Sequence, residues 1–331
     1  MFAPERILHP TDFSDSARSA FRYAVHIAEQ HDADLHVLHV VTDFGVDPVR
    51  GAFESGVDEE AYYERLESEA ERQLQQLRED ASRAGVQLKT TTRRHPDPET
   101  AICAVAEEKK MDVIAMGTHG RRALSRMILG SVAESVMRQA PCAVLTVREG
   151  DVPEDIAVQK ILTPVDLSEY SVPLLREAAD VANTFGATLD VLHVVEPLPF
   201  PVPLVGGFTL NDLAVEPTQR AEEQVNDCLK RAGVSSPPAR MHLEEGHAAM
   251  TILDAAGDLE ADLICIASHG LSGMTRMLVG SVTARVVRRA SCPVLTLRVE
   301  AEERGDDADQ PPEDEATSSD EAAPPSESAS S

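Results

Sequence analysis

The chain is one unit written twice. Pro10-Thr11-Asp12-Phe13-Ser14 returns as Pro164-Val165-Asp166-Leu167-Ser168, and Leu35-His36-Val37-Leu38-His39-Val40-Val41 returns as Leu189-Asp190-Val191-Leu192-His193-Val194-Val195, both 154 positions on. Thr118-His119-Gly120 returns as Ser268-His269-Gly270, and Ala140-Pro141-Cys142-Ala143-Val144-Leu145-Thr146 as Ala290-Ser291-Cys292-Pro293-Val294-Leu295-Thr296, both 150 positions on. The second copy has therefore lost a net four residues in its middle. Solenoid repeats recur every ~20–50 residues, so a period near 150 marks a duplicated domain. The spacing predicts residues 1–150 as one domain, 151–159 as a linker and 160–299 as the second domain.

Within one copy, apolar runs alternate with amphipathic stretches. Arg6 to His9, Leu35 to Val41, Asp112 to Gly117 and Ala143 to Val147 read as strands, with Val86 to Thr92 as a weaker one. Between them, Ala17, Ala20, Phe21, Ala24, Val25 and Ala28 recur at helical spacing behind a Ser14 cap. Glu59–Arg83, Glu99–Lys110 and Val132–Arg138 read as further helices. The charged 59–83 helix is expected to present a solvated face, with Tyr62, Leu66, Leu74 and Leu77 on its sparse apolar side. Strands without in/out alternation, separated by helices, belong to a parallel sheet buried on both faces. The expected fold is α/β: two tandem doubly wound domains of about five strands each.

Composition narrows the function. The net charge is −27, from 57 acidic and 30 basic residues. Nucleic-acid grooves and anionic membrane surfaces call for clustered positive charge, so neither is an expected partner. Only five of the basic residues are Lys, a balance that resembles proteins of saline cytoplasms. From Glu300 to Ser331 there are 12 acidic residues against Arg304 alone, and no aliphatic residue larger than Ala. Such a segment buries too little to offset its ordering entropy, so an acidic disordered tail is expected over 300–331. No apolar run approaches the ~18 residues of a membrane span, and Met1-Phe2-Ala3-Pro4-Glu5-Arg6 does not open like a signal peptide. Five dispersed cysteines without a C-x-x-C fit a reducing compartment. The expected location is the cytoplasm.

Open α/β sheets bind ligands beyond the carboxyl ends of their strands. There the first copy carries Pro10-Thr11-Asp12, then Val40, then Met116-Gly117-Thr118-His119-Gly120, and a polar loop through Arg121, Arg122 and Arg126 to Gly130-Ser131-Val132. The set G-x2-G-x9-G-S suits an anion. Glycines let backbone amides approach phosphate oxygens, and the helix starting near Ser131 aims unpaired N–H groups at the same place. No Lys lies between 117 and 131, so this is not a Walker loop, and Arg121, Arg122 or Arg126 is the alternative source of positive charge. Two plainer readings stay open. Ser131 with Glu134 reads as a capping box, and Asp12 as a cap before the first helix.

On these motifs both copies resemble universal stress protein domains, and the chain to about residue 299 resembles a tandem member of that family. G-x2-G-x9-G-[ST] is the family's ATP-binding signature. The resemblance implies Pro10, Thr11 and Asp12 at the adenosine end, and Val40 offering backbone groups to adenine. It places Met116 and Gly117 at the flank, and Gly120, Gly130, Ser131 and Val132 on the phosphates. It implies sheet order 3-2-1-4-5 in each domain and pairing of the domains through their last strands; a further dimer of whole chains stays open. In the second copy Pro164, Val165, Asp166, Val194, Gly270, Gly280, Ser281 and Val282 keep the pattern, while Ala267 replaces the first glycine. The expected ligand is ATP or another adenine nucleotide, with any Mg2+ riding on its phosphates. No catalytic set emerges, so the reading is a nucleotide-regulated stress protein. A slow ATP hydrolase or adenylating enzyme, and a nucleotide-free interaction module, are the alternatives.

Overall fold

A computed structural model describes residues 2–42, 58–120, 129–150, 155–196, 217–234, 239–268 and 279–302. The first copy runs β1 (Arg6–Thr11), α1 (Asp15–His31), β2 (Asp34–Val41), α2 (Glu59–Arg83), β3 (Leu88–Arg94), α3 (Pro98–Glu108), β4 (Val113–Gly117), α4 (Ser131–Gln139) and β5 (Ala143–Val147). The second runs β6 (Lys160–Val165), α5 (Ser171–Phe185), β7 (Thr188–Val195), α6 (Pro217–Ala232), β8 (Ala239–Glu245), α7 (Ala248–Asp258), β9 (Leu263–Ala267), α8 (Ser281–Arg289) and β10 (Val294–Leu297).

The expected doubly wound fold is what forms. Ten strands make one sheet in the order β3-β2-β1-β4-β5-β10-β9-β6-β7-β8. Within each copy every pairing is parallel, and the order is 3-2-1-4-5. Crossover helices cover both faces, which is why the strands read as near-continuous apolar runs. Ile7, Leu35 and Val113 face one helical layer with Ala20, Ala24 and Leu74, while Leu8, Leu38 and Ile114 face the other with Val105, Val136 and Met137. Both clusters continue into the second copy through Ile161, Leu189, Leu162 and Leu192.

The copies meet edge to edge. β5 and β10 are antiparallel, with Leu145 opposite Leu295 and Val144 opposite Thr296. The Thr146 hydroxyl donates to the Val294 carbonyl at 3.1 Å. Arg148 reaches the carbonyls of Arg289 and Ala290 at the end of α8, each at 3.3 Å, and Arg298 reciprocally reaches that of Ala140 at the end of α4. A cation at a helix C-terminus answers its orphan carbonyls. The reciprocity is that of a pseudo-twofold seam.

Element ends differ from the sequence reading by a residue or two. β1 continues through Pro10 to Thr11, since proline still accepts at its carbonyl while its neighbours carry the ladder. In α2 the buried aromatic is Tyr63, while Tyr62 is partly exposed. The described chain ends at Glu302, whose N–H donates to the Glu169 carbonyl and whose carboxylate bridges Arg176 and Arg231. Residues 303–331 of the expected tail lie outside the described residues.

Candidate functional site

The first site is built by a strained turn. After β1, Phe13 sits at φ 62°, a left-handed conformation that is costly for a side chain of this size. The turn is held by Phe13 N–H donating to the Thr11 hydroxyl at 3.0 Å and Ser14 N–H donating to Asp12 Oδ1 at 3.0 Å. Ser14 then caps α1 by accepting from Ala17 N–H at 3.2 Å. Asp12 is thereby left projecting beyond the strand end, beside Gly120. A Cβ on Gly120 would stand 2.9 Å from Asp12 Oδ2. His39 supports the turn from β2, its Nδ1 2.8 Å from the Thr11 carbonyl and its ring 4.6 Å from that of Phe13.

The opposite wall is the start of α4. Gly130 is its N-cap, in extended conformation (φ −65°, ψ 141°), and no side chain caps it. Ser131 is therefore the first helical residue, which rules out the capping box with Glu134. The Gly130 amide itself donates to the Thr118 carbonyl at 2.8 Å. The amides that face outward from this helix start begin at Ser131, with the dipole end behind them. A Cβ on Gly130 would come within 3.2 Å of that same Thr118 carbonyl.

These parts enclose a cavity of about 750 Å3. Pro10, Thr11, Asp12, Val40, Met116 and Gly117 line it, as do Gly120, Gly130, Ser131 and Val132. Every expected first-copy residue inside the described range is thus brought to one crevice. Arg126 lies outside the described residues. Leu38, Ile102 and Leu129 give the crevice apolar surface; its polar groups include Asp12, His39, Thr42, His119 and Ser131. Such a cleft accommodates a flat apolar body with an anionic end, and its volume falls in the usual ~300–1,000 Å3 range for small-molecule sites.

Part of the wall escaped the sequence reading. Leu66, Glu69, Ala70 and Gln73 of α2 also line the cavity, together with Pro98 at the start of α3. The helix expected to be a solvated face is in part a roof. The signal was the Leu66-Ala70-Leu74-Leu77 stripe, which must lie over the strands it follows.

Gly117 has a second role beside lining the crevice. A Cβ there would stand 2.8 Å from the Ser16 carbonyl carbon and 2.9 Å from the Ala17 nitrogen. Its bareness lets the first turn of α1 press against β4. In the second copy Ala267 fills that position, and α5 starts later than α1 does. Tyr170 is the α5 N-cap, at φ −87° and ψ −14°. The Ser168 hydroxyl, at the position of Ser14, turns away from the helix and donates to Asp166 Oδ1 at 2.6 Å. The same oxygen receives Ser168 N–H at 3.1 Å and the Ser171 hydroxyl at 3.3 Å.

The remaining second-copy residues keep their places. Leu167 repeats the left-handed turn at φ 61°. His193 repeats the His39 contact, with Nδ1 2.9 Å from the Val165 carbonyl. Pro164 and Val165 end β6, Val194 lies in β7, and Gly280 caps the uncapped-by-side-chain start of α8 ahead of Ser281 and Val282. Thr283 draws that start to β9 by donating to the Ala267 carbonyl at 2.9 Å. Gly270 lies outside the described residues. Burial pushes the Cys142 thiol up to about 12 and that of Cys292 to about 11, so both act as small packing groups rather than nucleophiles.

Fold and crevice together define a class: tandem doubly wound α/β domains with an anion-receptive cleft at the strand ends. Comparison with known proteins makes the class specific. The model of the universal stress protein family matches twice, over residues 4–148 and 157–298. The chain belongs to the universal stress protein family. A universal stress protein of Mycolicibacterium smegmatis is 28% identical over 305 residues, 88% of this chain and 96% of that one. One from Methanocaldococcus jannaschii is 37% identical over 147 residues, 44% of this chain and 82% of its own. Among solved structures, a universal stress protein from Archaeoglobus fulgidus superposes with a TM-score of 0.64 at 23% identity, covering 92% of this chain and 98% of that one, a likeness of fold.

Proposed function

We propose that this protein is a nucleotide-regulated stress protein that holds ATP, or another adenine nucleotide, in its first copy. The observation that carries this reading is the crevice itself: apolar along Leu38, Val40 and Met116, and anion-receptive where Gly120 and the bare start of α4 meet. The residues fit the group. Gly120 and Gly130 keep the loop free of Cβ atoms that would crowd Asp12 and the Thr118 carbonyl. The amides from Ser131 onward take phosphate oxygens, Asp12 takes a ribose hydroxyl, and the apolar side takes the base. Mg2+, when bound, neutralises phosphate charge; the chain's own part is to orient the nucleotide and exclude water from its base.

Among the described residues no group of three or more His, Cys, Asp or Glu is gathered as a metal set. Occupancy of the crevice is read as a signal that alters contacts made by the seam-linked pair of domains, which stand in for two separate subunits. The direct test is calorimetric titration of ATP into the full chain. Tight binding that weakens tenfold or more in Gly130→Val and in Asp12→Ala, while Asp166→Ala leaves it alone, supports the reading. Unchanged affinity in the two first-copy variants overturns it. Phosphate release measured on the same samples separates a regulator from a hydrolase: turnover above ~1 s⁻¹ would place it among ordinary enzymes.

A further inference from the structure

In the second copy, α7 and α8 enclose a cavity of about 410 Å3. Of the described second-copy residues expected at a nucleotide, Val282 alone lines it. Arg285, Arg288 and Arg289 of α8 form one side, and Met250 and Leu253 of α7 the other. The arginines stand at i, i+3 and i+4, so they share one face of their helix. Like charges at this spacing repel and weaken a helix unless something neutralises them.

Nothing described does so. Helix α8 holds no acidic residue of its own. Among the described residues none of the three guanidinium groups is in an ion pair. Arg288 Nε is buried without a hydrogen-bond partner. Arg289 donates to the Met250 thioether at 3.3 Å, a weak acceptor. The end of α8 does not call for these cations, since Arg148 already reaches the carbonyls of Arg289 and Ala290. Glu196, the carboxylate on the cavity wall, accepts the Ala248 N–H at 3.1 Å and so serves the start of α7.

The first copy reads differently at the corresponding positions. Ser135 and Gln139 stand where Arg285 and Arg289 do, and Glu134 where Ala284 does. Asp97 and Glu99 occupy the places of His247 and Ala249. Around this groove the second copy has thus lost three carboxylates and gained two guanidinium groups, against one new carboxylate, Glu196 in place of Thr42. Arg138, the cation common to both copies, donates to the Ser135 hydroxyl at 3.4 Å. Arg285 in place of that serine takes the acceptor away from Arg288. In a chain of net charge −27, this local trend runs against the composition.

We infer that the α7–α8 cleft binds a small organic phosphate with two phosphoryl groups. Each guanidinium carries five N–H donors in a fork that fits phosphate oxygens in pairs. A phosphoryl group answers with three strong acceptor oxygens and close to two negative charges, more than a carboxylate offers. Arg285 and Arg289 lie one helical turn apart, a separation that suits two such groups. Met250, 46% exposed, and Leu253 receive the organic part; the flexible thioether adapts to its shape. The volume lies within the ~300–1,000 Å3 of small-molecule sites.

The test is NMR titration of the full chain with inorganic pyrophosphate at about 50 mM NaCl, where surface charge is only partly screened. Amides of α7 and α8 should shift and saturate below about 1 mM pyrophosphate. The variant R285S/R289Q restores the first copy's residues at two exposed positions. It should weaken the response by about tenfold or more while leaving ATP binding by the first copy as it is. Citrate should shift the same amides about fivefold more weakly, because its charges sit on carboxylates. An equal response in wild type and R285S/R289Q overturns the proposal. So does equal saturation by citrate, which would make the cleft a general anion patch. Shifts confined to Ser131 and its neighbours overturn it too, since they place pyrophosphate in the first-copy crevice alone.

Discussion

The two copies agree at their strands and part company at their strand ends. β1 and β6 both finish in a turn with a left-handed residue, Phe13 or Leu167, behind an aspartate. Beyond that turn one methyl group separates them. Gly117 allows Ser16 and Ala17 to close on β4. With Ala267 the helix instead begins at Ser171, and the freed serine hydroxyls gather on Asp166. Duplication has thus kept the apolar ladder, where any change costs packing, and let the ligand end drift. Both aspartates accept the backbone N–H two residues on, but Asp166 also gathers the Ser168 and Ser171 hydroxyls while Asp12 lines the crevice.

The sharpest contrast to test is acid sensitivity. His9 is fully buried against Phe21, and burial holds its pKa at about 4, below its ordinary 6.5. The unfolded chain therefore takes up a proton that the native state refuses. Stability from this group is whole above pH 6.5 and drains away as pH falls towards 4, by about 3 kcal/mol at ~1.4 kcal/mol per pH unit. His36, buried beside the Thr91 hydroxyl and also held at about 4, adds a loss of the same sign. The second copy has Thr163 and Asp190 at these places. Urea titrations between pH 7 and 4, followed by NMR signals of each half, should show the first half weakening earlier, and His9→Thr should flatten its profile. Parallel losses in both halves would break the contrast.

Next in size is the glycine exchange. Gly117→Ala forces a methyl against backbone, and overpacking of this kind costs about 1–3 kcal/mol. Ala267→Gly should cost less, about 1 kcal/mol, because α5 is already set back. Equal losses in urea unfolding would mean that helix start and glycine are unrelated. For the aspartates, Asp12→Asn should weaken nucleotide binding by about tenfold, or ~1.4 kcal/mol, while Asp166→Asn leaves affinity unchanged in titration calorimetry. The smallest effect belongs to the seam. Arg148→Ala and Arg298→Ala should each lower thermal stability by about 1 kcal/mol or less, and by similar amounts if the pseudo-twofold holds.

The ladder was legible because a buried parallel strand can be little other than aliphatic, and because each motif occurred twice. Ser14 was readable as a cap for the same local reason: its hydroxyl serves an amide three residues on. What stayed hidden depended on contacts far apart in the chain. Nothing near Gly117 announces Ser16, and nothing near Ser131 shows that Gly130 takes the capping position. The part of α2 as a roof was masked by its charge, since Glu69 and Gln73 look like solvated residues until β2 and β4 are placed beneath them.

The antiparallel join of β5 to β10 sets the two halves running in opposite directions. Their mouths consequently open at opposite poles of the ten-stranded sheet. A visitor at one pole cannot touch the other, so any conversation between them has to pass through the seam and its crossed arginines, and a partner that reads both must embrace the molecule or come in two pieces.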